Sequence, residues 1–194
     1  EWGEDAYRAA HIPGAVYAHL DRDLSGPKTG RNGRHPLPDP HLLREAFGRL
    51  GIDAGVRVVA YDQDSGMFAS RLWWLLRWLG HDAVQVLDGG LARWTSEGHP
   101  TSGGTEQRTP RVFTGEAQGT RIVTQADVAA MLDSGHGLLV DARAPERFRG
   151  DVEPLDPVAG HIPGAVNRFF QENLAGGRFK PADVLRVDLD AVLG

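Results

Sequence analysis

Ala-His-Ile-Pro-Gly-Ala-Val, at residues 10–16, is the stretch that decides the fold of this 194-residue chain, because it occurs twice. Residues 160–166 read Gly-His-Ile-Pro-Gly-Ala-Val, which gives six identities in seven positions at a spacing of 150 residues. A near-identity of this length at a fixed distance indicates an internal duplication. The sequence therefore predicts two copies of one domain.

Helices and strands alternate after the first copy. Apolar residues at helical spacing predict helices over 40–50 and 66–79, each ended by a glycine, and a short helix that ends at Glu97. Residues 57–61 and 84–87 are short β-branched runs that predict strands, and the first shows no alternation, which is typical of a strand buried on both faces. This order predicts an α/β fold with a parallel sheet flanked by helices.

The second copy begins with a predicted helix from Thr124 to Gly135, followed by a strand at 138–141. Residues 99–120 between the copies have few apolar residues and no periodicity, which predicts a linker. We therefore assign residues 1–98 to a first domain and residues 121–194 to a second. We expect the chain to be truncated at both ends: the first domain lacks a counterpart of strand 138–141, and the second lacks a counterpart of 58–97.

The amino-acid composition argues against several classes of function. The formal net charge is −5 and the 21 basic residues form no run, so nucleic acid is not an expected partner. No apolar stretch reaches the ~20 residues that span a bilayer, and no signal peptide is visible, so we expect no membrane association and a cytoplasmic protein. With no cysteine there is no disulfide, thiolate metal site or thiol nucleophile. The eight histidines show no metal-ligand spacing, and no metal or cofactor is expected.

Four motifs together resemble the tandem-domain rhodanese family, the thiosulfate and 3-mercaptopyruvate sulfurtransferases. They are the two His-Ile-Pro-Gly-Ala sequences, Leu-Asp-Gly-Gly-Leu-Ala-Arg-Trp at 87–94, and Asp-Ala-Arg at 141–143 running into Glu-Arg-Phe-Arg-Gly at 146–150. The resemblance implies two rhodanese-like domains, of which the second carries a cysteine between a strand and a helix N-terminus. Backbone N–H groups and the helix dipole lower the pKa of that thiol, so that it takes a sulfur atom from the donor.

The resemblance also implies that the first domain is inactive. Asp62-Gln63-Asp64-Ser65-Gly66 follows the predicted strand where a catalytic domain would place its nucleophile, and a carboxylate cannot carry a sulfane sulfur. The nucleophilic cysteine is then expected after Gly194. We expect the 194-residue chain to be inactive, and the intact protein to move sulfur from a small-molecule donor to a thiophilic acceptor.

Two residues are candidates for donor binding by the same resemblance. Arg147 matches an arginine that binds the anionic donor, and the alternative role is a structural ion pair. Phe68 matches a first-domain residue that overhangs the pocket, and the alternative is core packing. Asp156, with Glu153 nearby, stands where members that prefer mercaptopyruvate carry a second arginine, which favours thiosulfate mildly.

The two motif histidines, His11 and His161, are expected to be structural, with the ring hydrogen-bonded to the backbone.

Two other functions remain open from the sequence. Asp62-x-Asp64 after an apolar strand is similar to the nucleophile motif of haloacid dehalogenase-like phosphatases, which would make Asp62 and Asp64 catalytic. A rhodanese-like domain without its cysteine is alternatively a binding or regulatory module, since a fold does not fix a function. Phosphate-ester hydrolysis with Mg²⁺ would identify the first alternative, and a genuine stop codon after Gly194 the second.

Overall fold

The computed structural model describes residues 2–63 and 65–194, with the side chain of Arg121 also outside the description. The chain divides into two compact units, the first ending at Gly119 and the second beginning at Thr120. Each unit holds one copy of the His-Ile-Pro-Gly-Ala motif. Among the described residues, no helix is long and apolar enough to cross a membrane.

The first unit consists of helices around a parallel strand pair. Its helices are α1 (Trp2–Ala9), α2 (Pro40–Arg49), α3 (Ala69–Trp78) and α4 (Gly90–Ser96), and its strands are β1 (Val58–Ala60) and β2 (Val84–Val86). Strand β1 runs parallel to β2, with Val58 opposite Val84 and Ala60 opposite Val86. The predicted helices, strands and parallel pairing are confirmed, with element ends that differ by a few residues.

Local sequence explains where α2 begins and ends. The Asp39 side chain accepts a hydrogen bond from the backbone N–H of His41, and Pro40 occupies the first helical turn, where its missing N–H costs nothing. Gly51 then takes a φ of +79°, which only glycine adopts without strain. One face of α2 packs against α3 in the core, whose fully buried apolar side chains are Leu43, Phe47, Leu75, Leu76 and Leu79.

Two expectations about burial in this unit are wrong. Val59, in the strand predicted to be buried on both faces, is 52% exposed, because it lines an open groove. Phe68, placed on the core face of the predicted helix, is also 52% exposed. Helix α3 begins at Ala69, and Phe68 is its N-cap residue, with a side chain that lies partly in solvent.

The predicted linker packs against the first unit. Phe113 is buried in the core beside Phe47, with ring centroids 5.3 Å apart. The backbone N–H of Arg111 donates to Gly48 (2.9 Å), and that of Gln118 donates to Trp78 (2.9 Å). Most of the segment 99–120 therefore covers the first unit instead of hanging free, and the domain assignment at residues 1–98 and 121–194 stays a prediction.

The second unit has its own parallel strand pair. Its elements are α5 (Gln125–Ser134), β3 (Val140–Asp141), α6 (Pro145–Arg149), β4 (Val166–Asn167), β5 (Leu174–Ala175), β6 (Arg178–Phe179) and α7 (Ala182–Leu193), with a 3₁₀ turn at Phe170–Asn173. A further 3₁₀ turn, Gly119–Arg121, includes the last residue of the first unit and the first residues of the second. Strand β3 pairs with β4 in parallel, and β5 pairs with β6 in an antiparallel hairpin. The predicted helix and strand are confirmed.

The predicted helix boundaries in this unit follow from capping. The Thr124 hydroxyl accepts from the backbone N–H of Asp127 while the Asp127 carboxylate accepts from that of Thr124, which makes a capping box at the start of α5. Gly135 ends the helix at a φ of +67°. The β5–β6 hairpin was not expected, although Gly176 and Gly177 both take positive φ, as a tight two-residue turn requires.

The second unit holds little buried apolar surface. Arg168 is the one buried residue among the described residues of this unit, and every described apolar side chain there is at least partly exposed. Apolar side chains on α7, including Val184, Val187 and Leu193, are exposed. Hydrophobic burial therefore stabilises the first unit much more than the second.

Candidate functional site

Both motif histidines make the same two contacts, although His11 is buried and His161 is exposed. His11 Nδ1 lies 2.8 Å from the carbonyl oxygen of Tyr7, and its ring stacks on the Tyr7 ring at 4.2 Å. His161 Nδ1 lies 2.7 Å from the carbonyl oxygen of Phe148, and its ring stacks on the Phe148 ring at 3.7 Å. The expected hydrogen bond between ring and backbone is present in each copy, so both rings tie the motif turn to the preceding helix.

The loop after β1 is organised around the Asp62 carboxylate. Its Oδ1 accepts from the backbone N–H of Gly66 (2.9 Å), and its Oδ2 accepts from those of Phe68 (2.8 Å) and Ala69 (3.1 Å). These N–H groups stand at the start of α3, where a helix has unpaired donors and a positive partial charge. The side chain of Asp62 is thus the anion that fills this loop.

This geometry bears on the phosphatase alternative. Both oxygens of Asp62 are held by backbone donors, which suits a helix-capping role better than attack on phosphate. Asp64, the second residue of that motif, lies outside the described residues. In the part of the chain that is described, no group of three or more His, Cys, Asp or Glu side chains is arranged to hold a metal ion.

Arg147, in α6, is engaged by two carboxylates. Its Nη2 donates to Glu153 at 2.7 and 3.0 Å and to Asp156 at 2.9 Å, and its Nε donates to Glu153 at 3.3 Å. Glu153 also accepts from Arg143 (3.4 Å), whose guanidinium binds Asp141 (2.6 Å). The acidic cluster therefore contains two arginines and three carboxylates.

Hydrogen bonds from the arginines lower the pKa values of two carboxyl groups in this cluster. The hydrogen bonds from Arg147 are the main reason why the pKa of Glu153 falls from its ordinary 4.5 to about 2; backbone N–H groups of Asp156 and Leu155 add to it, and desolvation opposes it. The pKa of Asp141 is likewise lowered, mainly by the hydrogen bonds from Arg143. Both carboxylates are ionised at neutral pH.

The two predicted donor-binding residues fall in different units. Arg147 lies in the second unit, and Phe68 lies ahead of α3 in the first, with its side chain partly in solvent. A role for either in binding a donor stays a prediction. Sequence reasoning did not find Arg143 and Asp141 as members of the Arg147 cluster, although the Asp-x-Arg sequence directly after a strand is a signal that could have found them.

Removal of the Asp62 carboxylate is expected to destabilise the first unit. Asp62→Ala leaves three N–H groups at the start of α3 without their acceptor, which should lower the free energy of unfolding by about 1–2 kcal/mol. Asp62→Asn, which keeps one acceptor oxygen, should cost less. Denaturant unfolding followed by tryptophan fluorescence measures this directly, because all five tryptophans, Trp2, Trp73, Trp74, Trp78 and Trp94, lie in the first unit.

The matched control is Asp82→Ala, because the Asp82 carboxylate is exposed and lies 3.2 Å from Arg77. An exposed ion pair of this kind contributes ~0.5 kcal/mol or less. Equal stability of the Asp62→Ala and Asp82→Ala variants would contradict the capping role.

Titration of Glu153 is expected to depend on Arg147. The carboxyl carbon signal of Glu153 should stay that of the ionised form down to about pH 3, because the pKa in the folded state is about 2. Since the folded pKa lies below the ordinary value, the stability that Glu153 contributes is present above pH 4.5 and is lost as the pH falls toward 2. NMR titration of the parent, Arg147→Ala and Arg149→Ala chains measures the difference.

In Arg147→Ala the midpoint should rise toward 4.5, whereas Arg149→Ala should leave it unchanged, because Arg149 pairs with Asp151 (2.8 Å). A parent midpoint near 4.5 would show that the ion pair does not persist in solution.

A model of the Rhodanese-like domain family matches residues 3–97 and 124–189 of this chain. The chain is 46% identical to a probable 3-mercaptopyruvate sulfurtransferase of Pseudomonas aeruginosa, over 99% of this chain and 69% of that protein. It is 42% identical to the putative thiosulfate sulfurtransferase SseB of Mycobacterium tuberculosis, over 85% of this chain and 58% of that protein. It is 40% identical to human 3-mercaptopyruvate sulfurtransferase, over 89% of this chain and 60% of that protein.

Solved structures agree with these relatives. The 3-mercaptopyruvate sulfurtransferase SseA of Escherichia coli superposes with a TM-score of 0.83 and 29% identity, over 97% of this chain and 70% of that one. The chain spans about three fifths to two thirds of the length of these curated relatives. Since the family matches both copies of the repeat, the chain belongs to the rhodanese family, with one rhodanese-like segment in each unit.

Proposed function

We propose that the intact protein is a sulfurtransferase that moves a sulfane sulfur from thiosulfate or 3-mercaptopyruvate to a thiophilic acceptor. The observation that carries the proposal is the match of both units to the rhodanese family, with relatives at 40–46% identity that are named sulfurtransferases. In this reaction a cysteine thiolate attacks the outer sulfur of thiosulfate, the S–S bond breaks and sulfite leaves. With 3-mercaptopyruvate the thiolate attacks its one sulfur, the C–S bond breaks, the carbon takes the thiol proton, and pyruvate leaves. The acceptor then takes the sulfur from the persulfide and restores the thiolate.

The sulfur-carrying step needs a cysteine outside these 194 residues. The chain contains none, and the loop that follows β1 is built on a carboxylate. The N–H donors that would stabilise a thiolate or persulfide there are already bonded to Asp62, and a carboxylate oxygen cannot form a persulfide. The first unit therefore contributes structure to the proposed enzyme and not its nucleophile.

Arg147 is the proposed contact for the anionic donor. Its guanidinium has the planar fork that suits a thiosulfonate or carboxylate, but Glu153 and Asp156 occupy it in this structure. Asp156 is 40% exposed and Glu153 is 5% exposed, so Asp156 is the partner that an incoming anion displaces at lower cost. Glu153 then keeps the guanidinium in place while the donor binds.

Phe68 is proposed as an apolar contact of the first unit for the donor or the acceptor. Half of its side chain is in solvent, which a purely structural core residue would not show. Both reactants are small molecules, and we place the reaction in the cytoplasm.

A cysteine-free rhodanese-like binding module is the second candidate, and one observation favours it. In the loop of the first unit, the backbone N–H groups of Gly66, Phe68 and Ala69 all donate to the chain's own carboxylate, Asp62, without any sulfur atom. A longer gene product that carries a cysteine and turns over sulfur supports the enzyme. A gene product without a cysteine supports the module.

The 194-residue chain alone is expected to show no sulfur transfer. Neither thiocyanate from thiosulfate and cyanide nor a protein persulfide from mercaptopyruvate should form above background, because no thiol is present to carry the sulfur. A cysteine-containing rhodanese assayed in parallel is the positive control. Turnover by this chain with either donor would overturn the mechanism.

In a longer protein that contains the cysteine, Arg147→Ala is expected to raise KM for the anionic donor. Loss of one charge-assisted contact should cost about 1.5–3 kcal/mol, which is roughly a ten- to hundredfold fall in kcat/KM. Arg147→Lys should recover part of the loss, because lysine keeps the charge but not the fork. Steady-state kinetics with thiosulfate and with mercaptopyruvate measure both effects.

Arg149→Ala is the matched control, because Arg149 lies on the same helix and pairs with Asp151. If Arg147→Ala folds normally and keeps kcat/KM within about twofold of the parent, Arg147 is an ion-pair residue and not a donor contact.

A further inference from the structure

A long connection in the first unit carries basic side chains and no acidic one. Residues 12–39, all of which the structure describes, contain no helix or strand. Within them, residues 24–38 include no Asp or Glu, and their basic side chains are Lys28, Arg31, Arg34 and His35. We call residues 25–36 the basic loop, and every residue of it from 27 to 35 is exposed. Connections of this length are uncommon in compact domains, where they are usually either functional or disordered.

Hydrogen bonds fix the base of the basic loop. The backbone N–H of Gly26 donates to the carbonyl oxygen of Pro36 (2.9 Å), which closes the loop at its two ends. From α3, the Arg71 guanidinium donates to three backbone carbonyl oxygens at 2.9–3.1 Å, those of Leu24, His35 and Pro36. The basic loop is therefore an ordered part of the first unit, anchored on a helix.

Asn32 fixes the tip of the basic loop. Its Oδ1 accepts from the backbone N–H of Thr29 (2.9 Å), and its Nδ2 donates to the carbonyl oxygen of Pro27 (2.9 Å). The side chains of Lys28 and Arg31 take no part in these bonds and stay exposed. A surface whose backbone is already fixed loses less conformational entropy when a partner binds to it.

One carboxylate already contacts the basic loop in this structure. Asp21 Oδ1 lies 3.1 Å from His35 Nδ1 and 3.7 Å from Lys28 Nζ, so these two side chains meet at one oxygen atom. Arg31 has no ion pair among the described residues. A single carboxylate therefore compensates only part of the positive charge of the loop, and the loop can bind further carboxylates.

Acidic residues on both sides of the basic loop limit the size of the anion that fits. Asp21 and Asp23 precede it, Asp39 follows it, and the whole chain has a formal net charge of −5. A long nucleic acid or an anionic bilayer would extend over these carboxylates and be repelled by them. Residues 24–38 also contain no Phe, Tyr or Trp on which bases could stack. A short acidic segment contacts the loop alone.

We propose that the basic loop is a docking surface for a short acidic segment of a partner protein. Carboxylates of the segment contact Arg31 and Arg34, and they compete with Asp21 for Lys28 and His35. Each exposed charge pair adds little affinity, so the loop steers and orients the partner more than it retains it. This docking is independent of sulfur transfer, since all of these side chains lie in the first unit.

A hexaglutamate peptide and the whole 194-residue chain test the docking surface. Fluorescence anisotropy of the labelled peptide measures its affinity, and the chemical shifts of the backbone amides locate it. We expect shifts confined to the basic loop and its contacts, and binding that weakens as NaCl rises from about 50 to about 500 mM, because salt screens exposed charges. Hexaglutamine should not bind. Shifts outside the loop, or binding that salt does not weaken, would contradict the proposal.

Neutral side chains in the basic loop should abolish most of the binding. A triple variant with Lys28→Gln, Arg31→Gln and Arg34→Gln should bind hexaglutamate at least ~10-fold more weakly, since three exposed charge pairs are lost. All three side chains are exposed, so the variant is expected to fold like the parent.

The matched control removes three exposed positive charges elsewhere in the chain. It combines Arg57→Gln, Arg149→Gln and Arg186→Gln, which change the net charge by the same amount. This control should keep the affinity of the parent. Equal affinity of the two triple variants would show a general attraction of charge and would overturn the docking surface.

Asn32→Ala tests whether the fixed shape of the basic loop matters, because it removes both bonds at the tip but no charge. The affinity for hexaglutamate should fall about three- to fivefold, since the partner must then order the tip. The control is Gln107→Ala, an exposed amide with no hydrogen bond among the described residues. Equal affinity of these two variants would contradict a preformed surface.

Nucleic acid and anionic lipid are the competing partners. A single-stranded oligonucleotide of about 20 nucleotides, and vesicles of phosphatidylserine and phosphatidylcholine, should bind more weakly than hexaglutamate because both extend over the flanking carboxylates. Tighter binding of either one, lost in the triple variant of the basic loop, would assign the surface to that partner and overturn the acidic segment.

Discussion

Backbone N–H groups that lack a partner within their own element determine how both units are built. At the start of α3 three such groups converge on the Asp62 carboxylate, and at the start of α5 the Thr124–Asp127 capping box takes the same part. After the motif turn of the second unit, the alternating N–H groups of Val166, Arg168 and Phe170 find their acceptors in the segment 139–142, which contains β3.

In the Arg147 cluster, carboxylates compete for the same arginine side chains. Three carboxylates share two arginines, and the hydrogen bonds from Arg147 lower the pKa of Glu153. A bound anion therefore gains the contact only to the extent that it replaces a carboxylate. Because Asp156 is the more exposed partner, the balance between this carboxylate and a donor sets the affinity at the proposed site.

The repeat, the elements and their parallel pairing could be predicted because each rests on local sequence: periodic leucines, capping residues and glycines that end helices. The exposure of Val59 could not be predicted. An apolar run shows that both faces of a strand are suited to burial, but it does not show whether a neighbouring element covers them. The packing of 99–118 was missed because it depends on one buried ring, Phe113, and on backbone hydrogen bonds that leave no periodic signal. At the candidate site, the sequence motif made Arg147 a candidate. Its carboxylate partners, Glu153 and Asp156, lie in an irregular loop, where the spacing of residues along the chain does not predict which side chains meet.

The two units show different parts of one architecture. The first contains the β1–α3–β2 layer and a buried core, and the second contains the strand that pairs with the motif segment but no buried apolar side chain among its described residues. Exposed ion pairs and caps, such as the Arg149–Asp151 pair and the Thr124 capping box, contribute too little to replace a core. The apolar side chains of the second unit, such as those of α7, therefore stabilise it less than the core stabilises the first. In both units the same physical demand, a sheet covered on its faces and paired along its edges, links the repeat in the sequence to the architecture.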